Sequence, residues 1–394
     1  MANDSPFLLY RVECPICKTI NEFETIRVGA YAEEGRDTDF CPTNVKWRFP
    51  RYQGYNPLVF FTATCSNCYY TRELTNNFRD WKDDVNFKTY RLKTVKPKHL
   101  DQLSQAESVI KTLGGHVDVS RIPNESAILK LHLSIFDEQL ADHYSRLDVG
   151  RFYLRIGWVF RDLEVGEDPN RLLLNTTVYD VEEEYTKCMQ SLRSAVESIK
   201  QLAAKADIST NAPELSAEQK SQLLAYRDRF SEVITDAHSQ VTSGQERLSA
   251  LNALVAECRQ GMIGSEVSGT SRGFGRFPSF QDFLQDLKRQ WNGIATNERE
   301  ALERAVFYYK EAFANGRDIA PGNQQIQASY LIAELSRRIG DYDEAKQYFT
   351  STIKSGQEFI YQNRHDKSRI ALAKKILELA IEQGRSNLAA ARPA

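Results

Sequence analysis

The sequence predicts a mainly α-helical protein with a small β-rich head, in which helical pairs form a solenoid that an antiparallel coiled-coil hairpin interrupts. Short strand-like segments, broken by Gly, Pro and Asn, fill residues 1–92. Apolar residues recur at helical spacing from residue 101 onward, and a long heptad-like stretch divides this helical part. With 394 residues, 41% of them hydrophobic, the chain is long enough for several domains with cores.

Four cysteines of the head form two Cys-x-x-Cys pairs, Cys14/Cys17 and Cys65/Cys68. Thiolates grouped in this way suit a closed tetrahedral zinc site. Five of the seven cysteines precede residue 69, which favours metal over disulfides in a reducing compartment. We therefore predict a zinc ribbon with structural Zn²⁺ on these four residues. The alternative is a thiol redox switch, but an oxidoreductase Cys-x-x-Cys opens a helix, whereas a strand-like run follows here.

A fifth cysteine, Cys41, lies close to two carboxylates, Asp37 and Asp39. It is open to three interpretations: a buried free thiol, a substitute metal ligand or a reactive residue. Nearby carboxylates raise the pKa of a thiol, which favours the first. We expect Arg36, Asp37 and Asp39 to cap turns and pair with each other, with a peptide-end or small-ligand pocket as the alternative.

Helical patterns cover residues 101–113, 125–144 and 149–163. The third segment matches the first helix of a tetratricopeptide repeat (TPR). The matching residues are Tyr153, Ile156, Gly157 and Phe160. A matching second helix comes only at Ala305, Tyr309 and Ala312, which indicates a repeat split by an insertion. Residues 329–349 fit an intact helix pair, and we expect a terminal helix at about 359–383 to cap the stack.

The insertion carries apolar residues at steps of four and three, which is typical of a coiled coil. The first seam is Val181, Tyr185, Cys188, Leu192, Ala195, Ile199 and Leu202. The second is Leu223, Tyr226, Phe230, Val233 and Ala237, continuing after a stutter through Val241, Leu248, Leu251, Val255 and Cys258. Residues 209–213 break the helix, and Ser216 with Gln219 forms a capping box for the next one.

These patterns predict seven consecutive segments. They are a zinc-ribbon-like domain at 1–92, a basic connector at 93–100, TPR-like helices at 101–164, the coiled-coil hairpin at 165–262, a flexible linker at 263–278, further TPR-like helices with a capping helix at 279–384 and a disordered tail at 385–394. The linker contains the letters of a G-x-S-x-G nucleophile motif at residues 269–273, but no strand precedes them, so we interpret them as linker.

Several head motifs together resemble a known bacterial family. They are Cys14-Pro15-x-Cys17, Arg36-Asp37-Thr38-Asp39-Phe40-Cys41, Tyr52-x-Gly54-x-Asn56-Pro57 and Cys65-x-x-Cys68-x-Tyr70. This set is similar to domain-of-unknown-function family 2225, over about residues 10–163 and 298–355. The resemblance implies a zinc-ribbon head followed by TPR-like helices. It implies no activity, and the hairpin and the segment around residues 44–51 depart from the family pattern.

We expect a non-enzymatic scaffold that binds protein partners through its TPR-like groove and its coiled-coil arm. The expected groove contacts are Arg155, Gln327, Tyr330, Glu334 and Arg337. Exposed coiled-coil surface also favours a homo-oligomer. No nucleotide-binding or zinc-protease motif points to an enzyme.

The main alternative is a nucleic-acid-associated factor. It would use the aromatic and basic loop at residues 46–52 and the basic residues at 88–98, although a net charge of −2 gives the chain no overall attraction for phosphates. A zinc or thiol redox sensor is a further alternative. The N-terminal sequence has no signal-peptide pattern and no run of eighteen apolar residues occurs, so we expect a cytoplasmic protein without membrane insertion.

Overall fold

The structure, a computed structural model, describes residues 5–165, 169–210, 213–262, 274 and 277–391. It contains two compact units, one formed by Met1–Glu167 with Thr270–Ala394 and the other by Asp168–Gly269. Helices dominate both units and strands occur near the N-terminus of the first, so the predicted mainly α fold with a small β head is confirmed. Within the described residues, no helix is both long and apolar enough to span a membrane.

The head contains three two-stranded antiparallel sheets. The strands are β1 (Phe7–Glu13) with β2 (Ile20–Ile26), β3 (Tyr31–Glu33) with β4 (Val45–Trp47) and β5 (Thr62–Thr64) with β6 (Thr71–Glu73). Among the strand-like segments expected in residues 1–92, the one at 57–64 is a strand only in its second half. Pro57–Phe60 is a 3₁₀ turn, because the Asn56 side chain accepts a hydrogen bond from the Leu58 amide and Pro57 supplies a helical φ at the first position.

Four helices follow the head strands. They are α1 (Asn76–Arg79), α2 (Leu92–Ser104), α3 (Val109–Gly115) and α4 (Pro123–Gln139). The predicted extended connector at 93–100 is wrong, since these residues lie in α2. Val95 and His99, which are four residues apart and therefore on one helix face, are both buried. Their burial outweighs the unfavourable Pro97 inside the helix.

The split repeat pairs α5 (Arg146–Val165) with α9 (Glu298–Asn315), after the short α8 (Phe280–Gln290). The two helices approach closely at Gly157, where an added Cβ would lie 2.8 Å from Cδ2 of Leu302. A small residue at this position is what the repeat pattern requires.

The last three helices are α10 (Asn323–Ile339), α11 (Tyr342–Gln362) and α12 (Lys367–Ala390). They share an apolar core that includes Tyr330, Phe349 and Ile376. The single terminal helix predicted at 359–383 is wrong, because the chain ends one helix at residue 362 and the Asp366 side chain caps the next. The predicted disordered tail is also wrong as far as residue 390, since buried Asn387 donates a hydrogen bond to the Tyr342 carbonyl.

The second unit is a pair of long helices, α6 (Pro169–Thr210) and α7 (Ala217–Met262), which pack against each other. The predicted capping box starts α7. The Ser216 hydroxyl accepts a hydrogen bond from the Gln219 amide at 3.2 Å, and the Gln219 side chain accepts one from the Ser216 amide at 2.9 Å. The linker residues 263–273, 275 and 276, with the G-x-S-x-G letters, lie outside the described residues.

The predicted seam of this hairpin is only half correct. In α6, Tyr185, Leu192 and Ile199 are at least half-buried, as predicted. The other residues that face the seam are Met189 and Val196, which were not in the predicted set. The predicted Cys188 and Ala195 are exposed. The heptad pattern fits either pair of residues beside Tyr185, Leu192 and Ile199. Met189 and Val196 are larger than Cys188 and Ala195, so they bury more apolar area.

In α7 the prediction places three apolar residues on the wrong face. Tyr226, Phe230 and Val233 are 57%, 45% and 58% exposed. The other described members of the predicted seam are correct, since Val241 is buried and Leu223 and Ala237 are half-buried. Side chains at positions 248, 251, 255 and 258 lie outside the described set. The three exposed residues, at i, i+4 and i+7, form a continuous line on one helix face, which we call the apolar stripe.

Candidate metal centre

The two cysteine pairs occupy the ends of two hairpins that have the same local geometry. Cys14 and Cys17 lie between β1 and β2, and Cys65 and Cys68 lie between β5 and β6. In each turn the residue after the second cysteine has a positive φ, and its amide bonds the carbonyl of the first cysteine. The amide of the first cysteine in turn bonds the carbonyl of the residue beyond, at 2.8 and 2.9 Å. Each turn therefore directs two sulfur atoms to one side.

The four sulfur atoms lie within 4.8 Å of one another and could hold a metal ion. The Sγ atoms of Cys14 and Cys68 are 3.6 Å apart, and those of Cys17 and Cys65 are 3.5 Å apart. A tetrahedral ion with metal–sulfur bonds of about 2.3 Å separates its sulfur ligands by about 3.8 Å, so the spacing fits such a site. Cys14, Cys65 and Cys68 are at most 2% exposed, which leaves little room for a further ligand.

The electrostatics of the cluster favour at least one thiolate. Hydrogen bonds from Cys14 and Cys68 lower the pKa of Cys65 strongly. The bond to Cys65 is also the main reason that the pKa of Cys14 rises to about 12. Thiols that share protons in this way can exchange them for one cation, since metal binding needs the deprotonated sulfur.

Neighbouring polar side chains support the cluster. The Asn21 side-chain amide lies 3.5 Å from Sγ of Cys65, and its oxygen accepts bonds from the amide and hydroxyl of Ser66, both at 2.9 Å. The Thr19 hydroxyl lies 3.3 Å from Sγ of Cys17. Such outer contacts orient metal ligands and stabilise the negative charge on sulfur.

A buried histidine joins the second cysteine turn to the helices. His99 of α2 is fully buried, and its Nε2 donates a hydrogen bond to the Cys68 carbonyl at 2.9 Å. Its Nδ1 lies 2.7 Å from Oδ1 of Asp137 in α4, whose other oxygen accepts a bond from the Thr71 amide. Burial lowers the pKa of His99, but the charge and hydrogen bond of Asp137 outweigh it and raise that pKa.

Sequence reasoning missed both His99 and Asp137. The available signal was an Asp on the apolar face of the predicted helix at 125–144, because a buried carboxylate needs a partner. The partner itself could not be identified, since it lies 38 residues away along the chain.

The acidic head loop, residues 37–41, caps its own turn and also contacts distant helices. As expected, Asp37 accepts a hydrogen bond from the Thr38 amide at 2.7 Å and Asp39 accepts one from the Cys41 amide at 3.2 Å. Asp39 is fully buried and bonds Arg161 of α5 at 2.7 Å, and Asp37 bonds Arg338 of α10 at 2.7 Å. The expectation that Arg36 pairs with these aspartates is wrong, since Arg36 is exposed and bonds Glu33. The opposite charges that satisfy the loop come from helices 122 and more residues away.

The acidic head loop also occupies part of the predicted TPR-like groove. The Thr38 carbonyl accepts a hydrogen bond from the Tyr330 hydroxyl at 2.8 Å, and its hydroxyl donates one to Glu334 at 2.5 Å. Both Tyr330 and Glu334 are fully buried, and Arg337 bonds Glu334. Of the five predicted groove contacts, these three are therefore engaged within the chain. Arg155 and Gln327 line a cavity beside the loop.

Cys41 does not join the metal cluster. Its sulfur is buried and contacts the Pro42 carbonyl at 3.6 Å. Burial first, and then the charge of Asp39, raise the pKa of Cys41 to about 12, so it is a protonated thiol at neutral pH. This geometry fits the interpretation of Cys41 as a buried free thiol.

The tryptophan of the aromatic and basic loop is not available for base stacking. Trp47 is only 4% exposed, its Nε1 donates to the Tyr55 carbonyl, and its ring packs against Phe7, Tyr31, Tyr52 and Phe60. Stacked bases need exposed aromatic faces. Two of the basic residues in α2 and before it are also paired, Arg91 with Glu138 and Lys98 with Asp142.

Comparison with known families identifies the chain. A family model described as "Uncharacterized protein conserved in bacteria (DUF2225)" matches residues 9–227 and 283–373. The chain belongs to the DUF2225 family. The match includes residues 44–51, all of α6 and the start of α7. The expected departure from the DUF2225 pattern is therefore wrong for residues 44–51 and for the hairpin as far as residue 227. No curated protein and no solved structure showed a significant match.

The DUF2225 motifs correspond to contacts of the fold. The two cysteine pairs form the metal cluster, and the acidic head loop bonds α5 and α10. In the third motif Gly54 has a φ of 84°, and Asn56 caps the following turn while donating to Asp162. Each motif thus connects the head to the helices or to the candidate metal centre.

Proposed function

We propose that this DUF2225 protein is a non-enzymatic interaction scaffold, with a structural zinc ion in the head and a protein-binding surface on the helical hairpin. The observation that carries this proposal is the apolar stripe of α7. Large apolar side chains aligned over two turns of an exposed helix face are typical of surfaces that bind a partner helix.

Zinc is the metal that best suits the cluster. Four clustered thiolates, three of them on buried cysteines, favour Zn²⁺ among the common divalent ions, and a closed site without an open position serves structure and not catalysis. We therefore assign no catalytic step to the cysteines. The ion would cross-link β1–β2 to β5–β6 and, through Cys68 and His99, to α2 and α4.

The groove contributes less to this scaffold than the repeat pattern suggests. Tyr330, Glu334 and Arg337 bond each other or the acidic head loop, so a peptide would have to displace that loop to reach them. Displacement would uncover Asp39 and its arginine partners, which is costly for buried charges. We therefore assign protein binding to the hairpin.

The test compares the wild-type chain with the variant Y226S/F230S/V233S. The matched control, L9S/Y90S/Y361S, removes three exposed apolar side chains that share no helix face. Each tagged protein captures partners from its native host with and without nuclease treatment, and each captured protein is then purified and its affinity measured. Sedimentation velocity of the purified chain tests a second copy as the partner.

We expect a direct protein partner, or self-association, that the stripe variant weakens about tenfold or more and the control leaves unchanged. Equal binding by all three proteins would overturn the assignment to the stripe. A monomeric chain whose captured material is lost with nuclease would overturn the scaffold proposal and favour nucleic acid instead. Elemental analysis of the purified protein tests the zinc, with one ion per chain expected.

A further inference from the structure

A cavity of about 960 Å³ lies within the first unit, beside the acidic head loop. Its walls come from the head, from α5 and α9 and from α10 and α12. Much of the lining is apolar, including Phe61, Leu154, Leu331 and Ile376. This volume is at the upper end of the range typical of sites for small organic ligands, which combine apolar walls with a few polar groups.

Arg155 of α5 is a cation on this wall without an acidic partner. Its guanidinium lies 4.2 Å from the centre of the Phe61 ring, and its hydrogen bond goes to the Arg151 carbonyl at a long 3.4 Å. Within the described part of the chain, no carboxylate lies within 4 Å of it. Burial, followed by the charge of Arg151, lowers the pKa of Arg155, so its environment compensates the charge incompletely.

Most of the other charges around the cavity have partners among the described residues; Lys375 of α12 has none there, but it is an exposed residue. Arg151 bonds Asp148 at 2.9 Å, and Arg36 bonds Glu33 at 2.8 Å. Asp37 bonds Arg338. Arg155 therefore differs from the two other arginines of the lining in having no carboxylate of this chain to pair with.

Two neutral hydrogen-bonding groups accompany Arg155. Tyr309 of α9 is 3% exposed and its hydroxyl has no hydrogen-bond partner among the described residues. Burial raises the pKa of this hydroxyl, and the positive charge of Arg155 opposes that rise. The side-chain amide of Gln327 in α10 likewise lines the cavity without a partner in the described chain. An unpartnered hydroxyl and amide on a cavity wall are available to bond a ligand or water.

We propose that this cavity binds an organic carboxylate with an apolar body, whose carboxylate pairs with Arg155 and accepts hydrogen bonds from the Tyr309 hydroxyl and the Gln327 amide. A single guanidinium matches one carboxylate in a two-point pair. A doubly charged phosphate fits less well, because the carboxylates Asp162 and Asp37 also line the cavity. The apolar walls accommodate an alkyl or aryl group.

Two kinds of molecule carry such a carboxylate, a free organic acid and a peptide with a free C-terminus. The test titrates the purified full chain with 4-phenylbutyrate and dodecanoate, and with the neutral amide 4-phenylbutyramide, by ligand-observed NMR and calorimetry. A parallel arm uses a hexapeptide ending in Leu-Phe, with either a free or an amidated C-terminus. Acid and amide are compared on the wild-type protein, so this arm does not depend on a variant that folds.

The variants are R155M and, as a matched control one turn earlier on the same helix and in the same cavity, R151M. We expect at least one acid or free-terminus peptide to bind the wild type and R151M. Its amide should bind about tenfold or more weakly, and R155M should lose binding by a similar factor while its circular dichroism stays unchanged. Binding by the peptide alone would assign the source as a protein terminus.

Three results would overturn the proposal. In the first, neither acids nor peptides bind the wild type. In the second, acid and amide bind equally, which would remove the carboxylate from recognition. In the third, a folded R155M binds as well as the wild type, which would remove Arg155. These outcomes do not depend on the hairpin, so the scaffold proposal can fail or succeed separately.

Discussion

The head and the helical hairpin hold their structure in different ways. The head has strands of three to seven residues, and its thiol cluster lies within a core of buried apolar residues such as Val12, Ile16 and Phe78. The hairpin has two helices of 42 and 46 residues with a narrow seam, in which Met189, Val196 and Val241 are the described apolar side chains below 9% exposure. Short strands therefore benefit from a cross-link, whereas long helices need only a few apolar contacts in each turn, repeated along their length.

The largest effect should follow removal of a cysteine of the cluster. C65S should abolish stoichiometric metal binding and destabilise the head by several kcal/mol, because a three-thiolate site holds the ion less tightly. C41S is the matched control, since Cys41 is also buried but lies outside the cluster, and it should keep the metal. Elemental analysis and denaturant unfolding measure both. Equal metal content in the two variants would contradict the assignment of ligands.

The acidic head loop connects the head to helices, so it tests whether charge also stabilises this unit. D39N should cost about 1–3 kcal/mol, because it removes the fully buried partner of Arg161, which keeps its ion pairs with Glu298 and Asp37. D148N removes a more exposed pair with Arg151 and should cost no more than about 1 kcal/mol. Urea unfolding distinguishes them. Similar costs for both variants would mean that burial of Asp39 contributes little.

The neighbouring Asp37 gives the loop a pH dependence. Burial would raise the pKa of Asp37, but hydrogen bonds from Arg338 and the Thr38 amide and the charges of Arg338 and Arg161 outweigh it and lower that pKa. The unfolded chain therefore takes up this proton first. The contribution of Asp37 is complete above its unfolded pKa of about 3.9 and is lost as the pH falls through the lower folded value. Between pH 5 and 2, D37N should lose less stability than the wild type; a steeper loss would contradict this.

Two adjacent glycines test the close contact between α3 and a cysteine turn. An added Cβ at Gly114 would lie 2.2 Å from Cγ of Tyr69, whereas one at Gly115 would meet nothing within 4 Å. G114A should therefore destabilise the protein by about 1–3 kcal/mol, and G115A should be neutral or stabilise it by up to about 1 kcal/mol. Thermal unfolding of the two variants measures this difference. Equal effects would show that Tyr69 moves without cost.

The smallest effect should separate the two faces of the hairpin. V241A removes a buried valine and should cost about 1–2 kcal/mol. V233A makes the same change on the apolar stripe and should stay within about 0.5 kcal/mol. Helix content during thermal unfolding distinguishes them. An equal loss from V233A would place that residue in the seam, as the sequence pattern predicted.

Local patterns predicted the parts of the fold that depend on nearby residues. The two cysteine turns, the Ser216 capping box and the intact repeat at residues 329–349 all involve positions a few residues apart, and the structure brings each of them together. Periodicity also predicted both hairpin helices. It could not select between two overlapping apolar columns, because Met189 and Cys188 fit the heptad equally well.

Long-range partners could not be predicted in the same way. The acidic head loop finds its counter-charges on Arg161 and Arg338, and the partner of His99 is Asp137. A sequence shows that these charges exist but not which of them meet after folding. The same reason explains the groove, where the pattern named Tyr330 and Glu334 as ligand contacts although the chain itself occupies them.

A metal ion should stabilise the head, whereas apolar packing alone should stabilise the hairpin. Hydrogen exchange before and after chelation would measure this difference. Mass spectrometry of the full chain would follow peptides from β1–β2, β5–β6, α4, and α6–α7. We expect a large loss of protection in both strand pairs and no change in α6–α7. In α4 we expect a smaller loss, because Asp137 bonds His99 and His99 bonds the Cys68 carbonyl. Unchanged protection in the strands, or an equal loss in the hairpin, would contradict this expectation.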